Sequence, residues 1–230
     1  AILWDMDGTL VDSEKLWDIS LAELAGELGG VLNPSARAAM VGSNMDRTLD
    51  LMFAMLGRCA EPAELTWAAR WLTDRTRELF SASLLWRPGA QAALSAVRAA
   101  GIATALVTST RRDLTDVALR SIGPEYFDIT VCGDEVCNPK PHPEPYLRAA
   151  AQLGVDPTSC VAVEDSPTGT ASAVAAGCIV LVVPCEVPVE PGERRILRES
   201  LVGVDAMMFG TLAVGRRSSA DGRGASSPGR

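Results

Sequence analysis

Short apolar runs and segments of helical periodicity alternate along the second half of the chain. The apolar runs cover residues 102–107, 129–131, 160–163 and 178–183, and the helical segments cover residues 90–100, 112–122, 143–153 and 167–176. Apolar runs without polar alternation are typical of strands that are buried on both faces. Helices that alternate with such strands favour a parallel sheet covered on both sides. The pattern therefore predicts an α/β fold.

The first 85 residues follow a different pattern. Residues 1–4 form another apolar run, but residues 13–85 show helical periodicity only, beginning with a helix predicted over residues 13–28 that Gly29 ends. We predict that the opening strand joins the same sheet and that residues 13–85 are a helical insertion emerging from its end. Residues 1–12 and 86–214 then form the core that holds the sheet.

Composition narrows the class of protein. Hydrophobic residues make up 47% of the 230 residues, which suffices for one large domain or for a main domain with an insertion. Acidic residues outnumber basic ones by 29 to 21, giving a formal net charge of −8, so we expect no nucleic-acid partner. No run of 18 continuous apolar residues occurs, so we expect no membrane partner.

The cysteines and the C-terminal residues add two expectations. None of the six cysteines forms a CxxC pair, and scattered cysteines in apolar runs indicate reduced thiols in a cytoplasmic protein. Residues 215–230 are rich in glycine, serine and arginine, which predicts a disordered tail.

Two carboxylates follow the opening strand directly, in the sequence Asp5-Met6-Asp7-Gly8-Thr9. In an extended segment, residues two apart point to the same side. Crowded carboxylates repel each other, and a divalent cation or a shared proton relieves that repulsion. The motif alone also fits an ordinary acidic turn, so the ends of the other predicted strands must decide between the two interpretations.

Polar side chains follow the other predicted strands as well. Thr108, Ser109 and Thr110 come after the run 102–107, Glu164 and Asp165 come after the run 160–163, and Lys140 lies in a loop between two prolines. Ligands of open parallel sheets bind at the carboxyl ends of the strands. We therefore expect all these side chains to face one crevice.

A phosphoryl group is the ligand that this set of residue types fits best. A carboxylate that attacks a phosphate dianion needs a cation between the two negative charges. Asp5, a main-chain carbonyl near Asp7, and Asp165 offer the hard oxygen ligands that Mg²⁺ prefers. Thr108 and Lys140 would donate hydrogen bonds to the remaining phosphate oxygens. The sequence thus predicts a magnesium-dependent phosphoryl-transfer site.

The four polar segments, in this order along the chain, resemble the motifs of the haloacid dehalogenase-like (HAD) superfamily over residues 1–210. The helical insertion resembles the α-helical cap of the group that includes phosphoglycolate phosphatase and β-phosphoglucomutase. The resemblance implies a Rossmann-like parallel-sheet core with an inserted cap. It implies that Asp5 is the nucleophile and Asp7 the general acid/base, that Thr108, Ser109 and Lys140 bind the substrate phosphate, and that Asp5, Asp7, Glu164 and Asp165 support Mg²⁺.

The activity implied by the resemblance is a two-step hydrolysis through an aspartyl phosphate on Asp5. Since true dehalogenases of the superfamily lack the second acid of the first motif, Asp7 favours phosphoryl transfer. The phosphonate-hydrolysing branch of the superfamily uses a lysine of the cap for catalysis. Lys15 is the only lysine between residues 12 and 85, so it is the one candidate for that role in the insertion. We predict a phosphatase for a small phosphorylated metabolite, such as a sugar phosphate or a phosphoglycolate-like ester.

Two other functions remain open at this stage. A β-phosphoglucomutase-type mutase is the first, but Met45 and Trp17 stand where mutase relatives carry an arginine and a histidine. A catalytically silent HAD-like binding module is the second. Trp17 is predicted to pack in the interior, and Arg47, Arg70 and Arg75 are candidates for gripping an anionic substrate.

Overall fold

A computed structural model describes residues 1–214, so the predicted disordered tail at 215–230 lies outside the described residues. Six strands in that part form one sheet, and every neighbouring pair is parallel. The strands are β1 (Ile2–Trp4), β2 (Thr104–Val107), β3 (Ile129–Val131), β4 (Val161–Glu164), β5 (Ile179–Val182) and β6 (Arg195–Leu197). The prediction of an α/β fold with a parallel sheet is confirmed.

Nine α-helices accompany the sheet within residues 1–214. They are α1 (Glu14–Glu27), α2 (Pro34–Met40), α3 (Met45–Met55), α4 (Pro62–Ala82), α5 (Ala90–Ala99), α6 (Arg112–Ile122), α7 (Glu144–Gln152), α8 (Pro167–Ala175) and α9 (Ala206–Val214). The first four helices lie between β1 and β2 in sequence, where the helical insertion is predicted. No helix among these residues combines the length and the apolar character needed to cross a membrane.

The order of the strands places β1 at the centre of the sheet. The order is β3, β2, β1, β4, β5, β6, so β1 pairs with β2 on one side and with β4 on the other. Trp4, the last residue of β1, lies in register with Leu106 of β2 and Val163 of β4. The residues that follow β1, β2 and β4 therefore emerge at neighbouring positions on one edge.

Both faces of the sheet are covered, as the uninterrupted apolar strands predict. Trp4 and Leu106 face a buried cluster that includes residues of α5, α6 and α9, whereas Leu3 and Val107 face a second cluster built with α7 and α8. Alternate residues of each strand thus serve opposite hydrophobic cores.

The helical insertion has a hydrophobic cluster of its own, to which α1, α3 and α4 contribute buried residues such as Leu24, Met52 and Leu72. The chain enters and leaves the insertion side by side. The N–H of Asp12 donates to the carbonyl of Leu85 (2.8 Å), and the N–H of Arg87 donates to the carbonyl of Leu10 (2.8 Å). Residues 10–12 and 85–87 thus form a short antiparallel ribbon between the insertion and the core.

Three elements lie beyond the sequence prediction, namely α2, β6 and α9. Strand β6 is a three-residue edge strand that is only partly buried, so it shows no fully apolar run. Helix α9 packs Phe209 edge-on against Trp4, with ring centroids 5.5 Å apart. Helix α9 therefore completes the hydrophobic core beside β1.

Candidate active site

Asp5, Lys140 and Glu164 form a buried cluster at the carboxyl ends of the central strands. Lys140 Nζ lies 2.7 Å from Asp5 Oδ1 and 2.7 Å from Glu164 Oε1, and it also donates to the carbonyl of Val107 (2.9 Å). An ammonium group carries three hydrogens, and these three acceptors use all of them. Lys140 therefore holds the ends of β1, β2 and β4 together.

Glu164 is held by a second donor, which comes from α7. The hydroxyl of Tyr146, which is fully buried on α7, donates to Glu164 Oε1 at 2.5 Å. The carboxylate occupies the space that a side chain at position 169 would fill, since a Cβ on Gly169 would lie 2.0 Å from Oε1. Glu164 is thus a fixed, fully enclosed charge beside Asp5.

Buried negative charge dominates this cluster. Burial and the neighbouring Glu164 carboxylate raise the pKa of Asp5 to about 8, against the lowering effect of Lys140. Burial and the charges of Asp5 and Glu164 likewise raise the pKa of Asp165. Burial alone would lower the pKa of Lys140, yet Asp5 and Glu164 raise it above its ordinary value. One ammonium faces three carboxylates, so the site favours a further cation.

Asp165 supplies the observation that fits a metal ion most directly. Its Oδ1 accepts from the Thr9 hydroxyl (3.3 Å), whereas Oδ2 is buried with no hydrogen-bond partner among residues 1–214. Gly8, at φ +74°, leaves the space beside Oδ2 open, because a Cβ there would lie 2.2 Å from that atom. An unpartnered buried carboxylate oxygen is costly unless a ligand satisfies it.

The ligand geometry agrees with this interpretation. Asp5, Glu164 and Asp165 each offer one carboxylate oxygen, and the three oxygens lie within 4.8 Å of one another. Oxygens bound to one Mg²⁺ ion at roughly 2.1 Å lie at most about 4.2 Å apart. Small adjustments of the side chains therefore suffice to bring these oxygens to one ion.

Asp7 lies next to this cluster and accepts four hydrogen bonds. Its Oδ1 accepts from Ser13 Oγ (2.7 Å) and from Trp17 Nε1 (3.0 Å). Its Oδ2 accepts from Thr110 Oγ1 (2.8 Å) and from Thr108 Oγ1 (3.3 Å). One oxygen is therefore bound by the beginning of the helical insertion and the other by the loop after β2.

Ser109 connects the loop after β2 to the helical insertion. Its hydroxyl donates to the carbonyl of Gly42 (3.1 Å). Gly42, at φ +70°, also approaches the loop after β4, since a Cβ at this position would lie 2.6 Å from Ser166 Oγ. The insertion thus closes over the strand ends through a glycine that brings its main chain against the core.

A cavity of about 60 Å³ lies between the acidic cluster and the insertion. Its lining combines apolar and charged groups, namely Leu21, Met40, Met45, Leu72, Leu114, Glu14, Arg37, Thr48 and Arg111 besides the residues described above. Arg37 Nη2 pairs with Glu14 Oε2 (2.5 Å), and Arg37 Nε pairs with Asp18. Burial raises the pKa of Glu14 above its ordinary value, against the lowering effect of Arg37.

All seven site residues predicted from the sequence lie at this edge of the sheet, and three of the side chains are hydrogen-bonded within the protein. The hydroxyl of Thr108 is directed to Asp7, that of Ser109 to Gly42, and the ammonium of Lys140 to Asp5 and Glu164. The phosphate-binding roles of these residues therefore stay predictions.

Sequence reasoning missed several polar neighbours, namely Ser13, Glu14, Trp17, Arg37 and Tyr146. Thr110, which directly follows Thr108 and Ser109, lies at the predicted edge of the sheet and donates to Asp7. The three arginine candidates Arg47, Arg70 and Arg75 do not line the cavity, where Arg37 and Arg111 lie instead.

Comparisons with known proteins agree with this architecture. Residues 2–183 match the model of a family described as haloacid dehalogenase-like hydrolase. Hexitol phosphatase B of Escherichia coli is 30% identical over 191 residues, covering 80% of this chain and 83% of that protein. A phosphorylated carbohydrates phosphatase of Thermotoga maritima is 32% identical over 178 residues, covering 77% of this chain and 81% of that protein.

The fold is also similar to that of solved structures. The crystal structure of a β-phosphoglucomutase from Clostridium difficile superposes with a TM-score of 0.83 at 20% identity, covering 95% of this chain and 98% of that one. At this identity the match supports the fold alone. The family match spans β1 to β5, the helical insertion and the polar strand ends described above, and the chain belongs to the haloacid dehalogenase-like hydrolases.

Proposed function

We propose that this chain is a magnesium-dependent phosphatase that hydrolyses a small phosphorylated metabolite through an aspartyl-phosphate intermediate. The observation that carries the proposal is the buried cluster of Asp5, Lys140, Glu164 and Asp165, with Asp7 beside it, at the carboxyl edge of the central strands. This arrangement sets a carboxylate nucleophile and a separate acid/base within one cavity.

Asp5 and Asp165 would hold the metal ion, together with the main-chain carbonyl of Asp7. Glu164 would support it as a neighbouring charge, because Lys140 and Tyr146 already occupy its Oε1. When bound, Mg²⁺ supplies charge compensation between the carboxylates and the phosphate dianion. The buried, unpartnered Oδ2 of Asp165 supports this assignment.

The chain's own residues would perform two displacements at phosphorus. In the first, the Asp5 carboxylate forms an O–P bond, the ester P–O bond breaks, and Asp7 gives its proton to the departing alkoxide. In the second, Asp7 takes a proton from water, the resulting oxygen attacks phosphorus, and the Asp5–phosphate bond breaks. Phosphate leaves, and both aspartates return to their starting state.

Two observations support a polyhydroxylated, phosphate-bearing substrate. The relatives at 30% and 32% identity are named for hexitol and carbohydrate phosphates. The cavity wall carries the ion-paired groups of Glu14 and Arg37 and the hydroxyl of Thr48, which are suited to hydrogen bonds with sugar hydroxyls. A cytoplasmic location belongs to the same proposal, supported by the six free cysteines.

A volume of about 60 Å³ is too small for a whole sugar phosphate, since sites for molecules of drug size range from roughly 300 to 1,000 Å³. The insertion therefore has to move away from the strand ends when substrate enters. The contact between Ser109 and Gly42 breaks in that motion. Closure afterwards would exclude water and select the leaving group.

The test is release of inorganic phosphate from a panel of hexitol, hexose and pentose phosphates, phosphoglycolate and p-nitrophenyl phosphate, with Mg²⁺ and with a chelator. We expect turnover of at least one sugar phosphate that needs Mg²⁺ and is abolished in Asp5→Asn. A folded wild-type protein that releases phosphate from no member of the panel supports the silent binding module instead.

A mutase is the second candidate, and Arg111 is the observation that favours it. Its guanidinium lines the cavity, and its ion-pair contacts, with Asp113 at 3.9 Å and Asp134 at 3.8 Å, are longer than hydrogen bonds. An arginine without hydrogen-bonded carboxylates is suited to a second phosphate. Incubation with β-glucose 1-phosphate and a bisphosphate primer distinguishes the two: glucose 6-phosphate without free phosphate would establish the mutase.

A further inference from the structure

The indole of Trp17 makes a contact that its apolar character does not require. Trp17 is partly buried on α1 and packs against both the core cluster and the cluster of the helical insertion. Its ring meets Phe80 of α4 edge-on, with centroids 5.9 Å apart. The same ring directs Nε1 to Asp7 Oδ1 at 3.0 Å. Packing on two sides thus fixes a hydrogen-bond donor against the acid/base.

The four donors to Asp7 differ in what they can do. The hydroxyls of Ser13, Thr108 and Thr110 can donate or accept, so they can follow a proton that arrives on the carboxyl group or leaves it. The indole N–H of Trp17 only donates. A proton on Asp7 therefore cannot lie on the lone pair of Oδ1 that faces Trp17. That contact keeps the same direction in both halves of the reaction.

The contact also determines the orientation of the whole carboxylate. The donors Ser13 and Trp17 lie four residues apart, about one helical turn, and both bind Oδ1. Oδ2 then points to the two threonine hydroxyls of the loop after β2. Without the indole donor, Oδ1 keeps only a hydroxyl, which itself can rotate.

We propose that Trp17 is a positioning residue for proton transfer, because its indole N–H fixes the orientation of the Asp7 carboxyl group that exchanges the proton. This inference rests on the proposed phosphatase function. It concerns the orientation of Asp7 and requires no contact between Trp17 and the substrate.

The experiment compares wild type with Trp17→Phe, which keeps an aromatic ring beside Phe80 and removes the N–H. The first chemical step is measured in single turnovers with two esters: a hexitol phosphate, whose alkoxide needs a proton, and p-nitrophenyl phosphate, whose phenolate does not. We expect a loss of 10-fold to 100-fold with the hexitol phosphate and less than 3-fold with p-nitrophenyl phosphate, since general acid catalysis contributes roughly 10² to 10⁴.

Further variants separate positioning from packing. Trp71→Phe changes another tryptophan that packs against the cluster of the insertion, and it should leave both rates within 2-fold. Site-specific replacement of Trp17 by β-(3-benzothienyl)alanine removes the N–H at nearly constant shape and should reproduce the loss in Trp17→Phe. In Asp7→Asn, adding Trp17→Phe should cost less than 3-fold, because the effect acts through Asp7.

The inference is overturned if Trp17→Phe slows both esters equally, if the benzothienyl variant matches wild type, or if the loss persists in Asp7→Asn. In each of those outcomes Trp17 acts through packing, while wild-type turnover still supports the proposed phosphatase. Absence of wild-type turnover with both esters contradicts the proposed function itself and removes the inference with it.

Discussion

The ammonium of Lys140 lies 2.7 Å from Oδ1 of Asp5, although 135 positions separate the two residues in sequence. The same ammonium lies 2.7 Å from Glu164, and the side chains of Asp5, Lys140 and Glu164 are at most 8% exposed. One cation thus compensates two buried anions that belong to different strand ends. Lys140 thereby allows the carboxylates of Asp5 and Glu164 to be buried close together in the folded protein.

Removing the Lys140 charge should destabilise the protein strongly. Lys140→Met keeps the length of the side chain but leaves Asp5 and Glu164 without their shared cation, and loss of one partner of a buried ion pair costs about 3–5 kcal/mol. The free energy of unfolding from urea titrations measures the effect. Lys15→Met is the matched control, since the exposed Lys15 pairs with Asp12 at the surface, and it should stay near wild type. Equal stability of the two variants would contradict this role of Lys140.

Magnesium should stabilise the folded protein through Asp165. Binding at 100 times the dissociation constant adds about 2.7 kcal/mol, which a rise in Tm with Mg²⁺ concentration would show. In Asp165→Asn, we expect that at least a 10-fold higher Mg²⁺ concentration is needed for the same rise in Tm. Asp116→Asn removes the same charge from an exposed site on α6 and should respond like wild type. An unchanged Mg²⁺ dependence in Asp165→Asn would remove this residue from the metal site.

A side chain at position 42 should impair closure of the helical insertion. In Gly42→Ala the new Cβ would lie 2.6 Å from Ser166 Oγ, at a φ of +70° that favours glycine. We expect kcat/KM for the sugar phosphate to fall by about 10-fold or more. Gly57→Ala has a similar φ of +66° and meets no atom within 4 Å, so it controls for backbone strain. Similar losses of kcat/KM in the two variants would show that closure does not depend on this approach.

The cysteines should divide into two classes by reactivity. Burial raises the pKa of Cys132 and of Cys178 to about 12, so at pH 8 only about one thiol in 10⁴ is ionised. Cys59 and Cys137 are exposed and should react rapidly with a disulfide reagent. Cys132, Cys160 and Cys178 are buried and should react only when the protein unfolds. Rapid labelling of Cys132 in the native protein, located by peptide mass, would contradict the structure.

The sequence predicts strands β1 to β5, their parallel pairing and the edge at which the polar residues gather. Parallel strands bring their carboxyl ends together, so the convergence of Asp5, Lys140 and Asp165 follows from topology. The directions of the side chains do not follow from it. Whether Lys140 points to a carboxylate or to a phosphate depends on where three acceptors lie in space, and no periodicity encodes that.

Contacts between a helix and a strand end could not be predicted from the sequence for the same reason. Trp17 has the apolar signature of a packing residue, and it does pack, but its N–H reaches Asp7 because α1 leaves the sheet at one particular angle. Tyr146 lies on the α7 face that packs under the sheet, and its hydroxyl meets Glu164 only in the assembled core. Strand β6 is too short and too exposed for an apolar run to reveal it.

The ribbon that joins the insertion to the core has a consequence for how such proteins diversify. Asp12 is hydrogen-bonded to Leu85, and Arg87 is hydrogen-bonded to Leu10. The chain therefore leaves the core and returns to it at one place. A different block of residues can be grafted there without altering the order or register of any strand. Residues of the insertion that follow α1 can therefore change without displacing the carboxylates at the strand ends, whereas Ser13 and Trp17, which bind Asp7, tie the start of the insertion to the core.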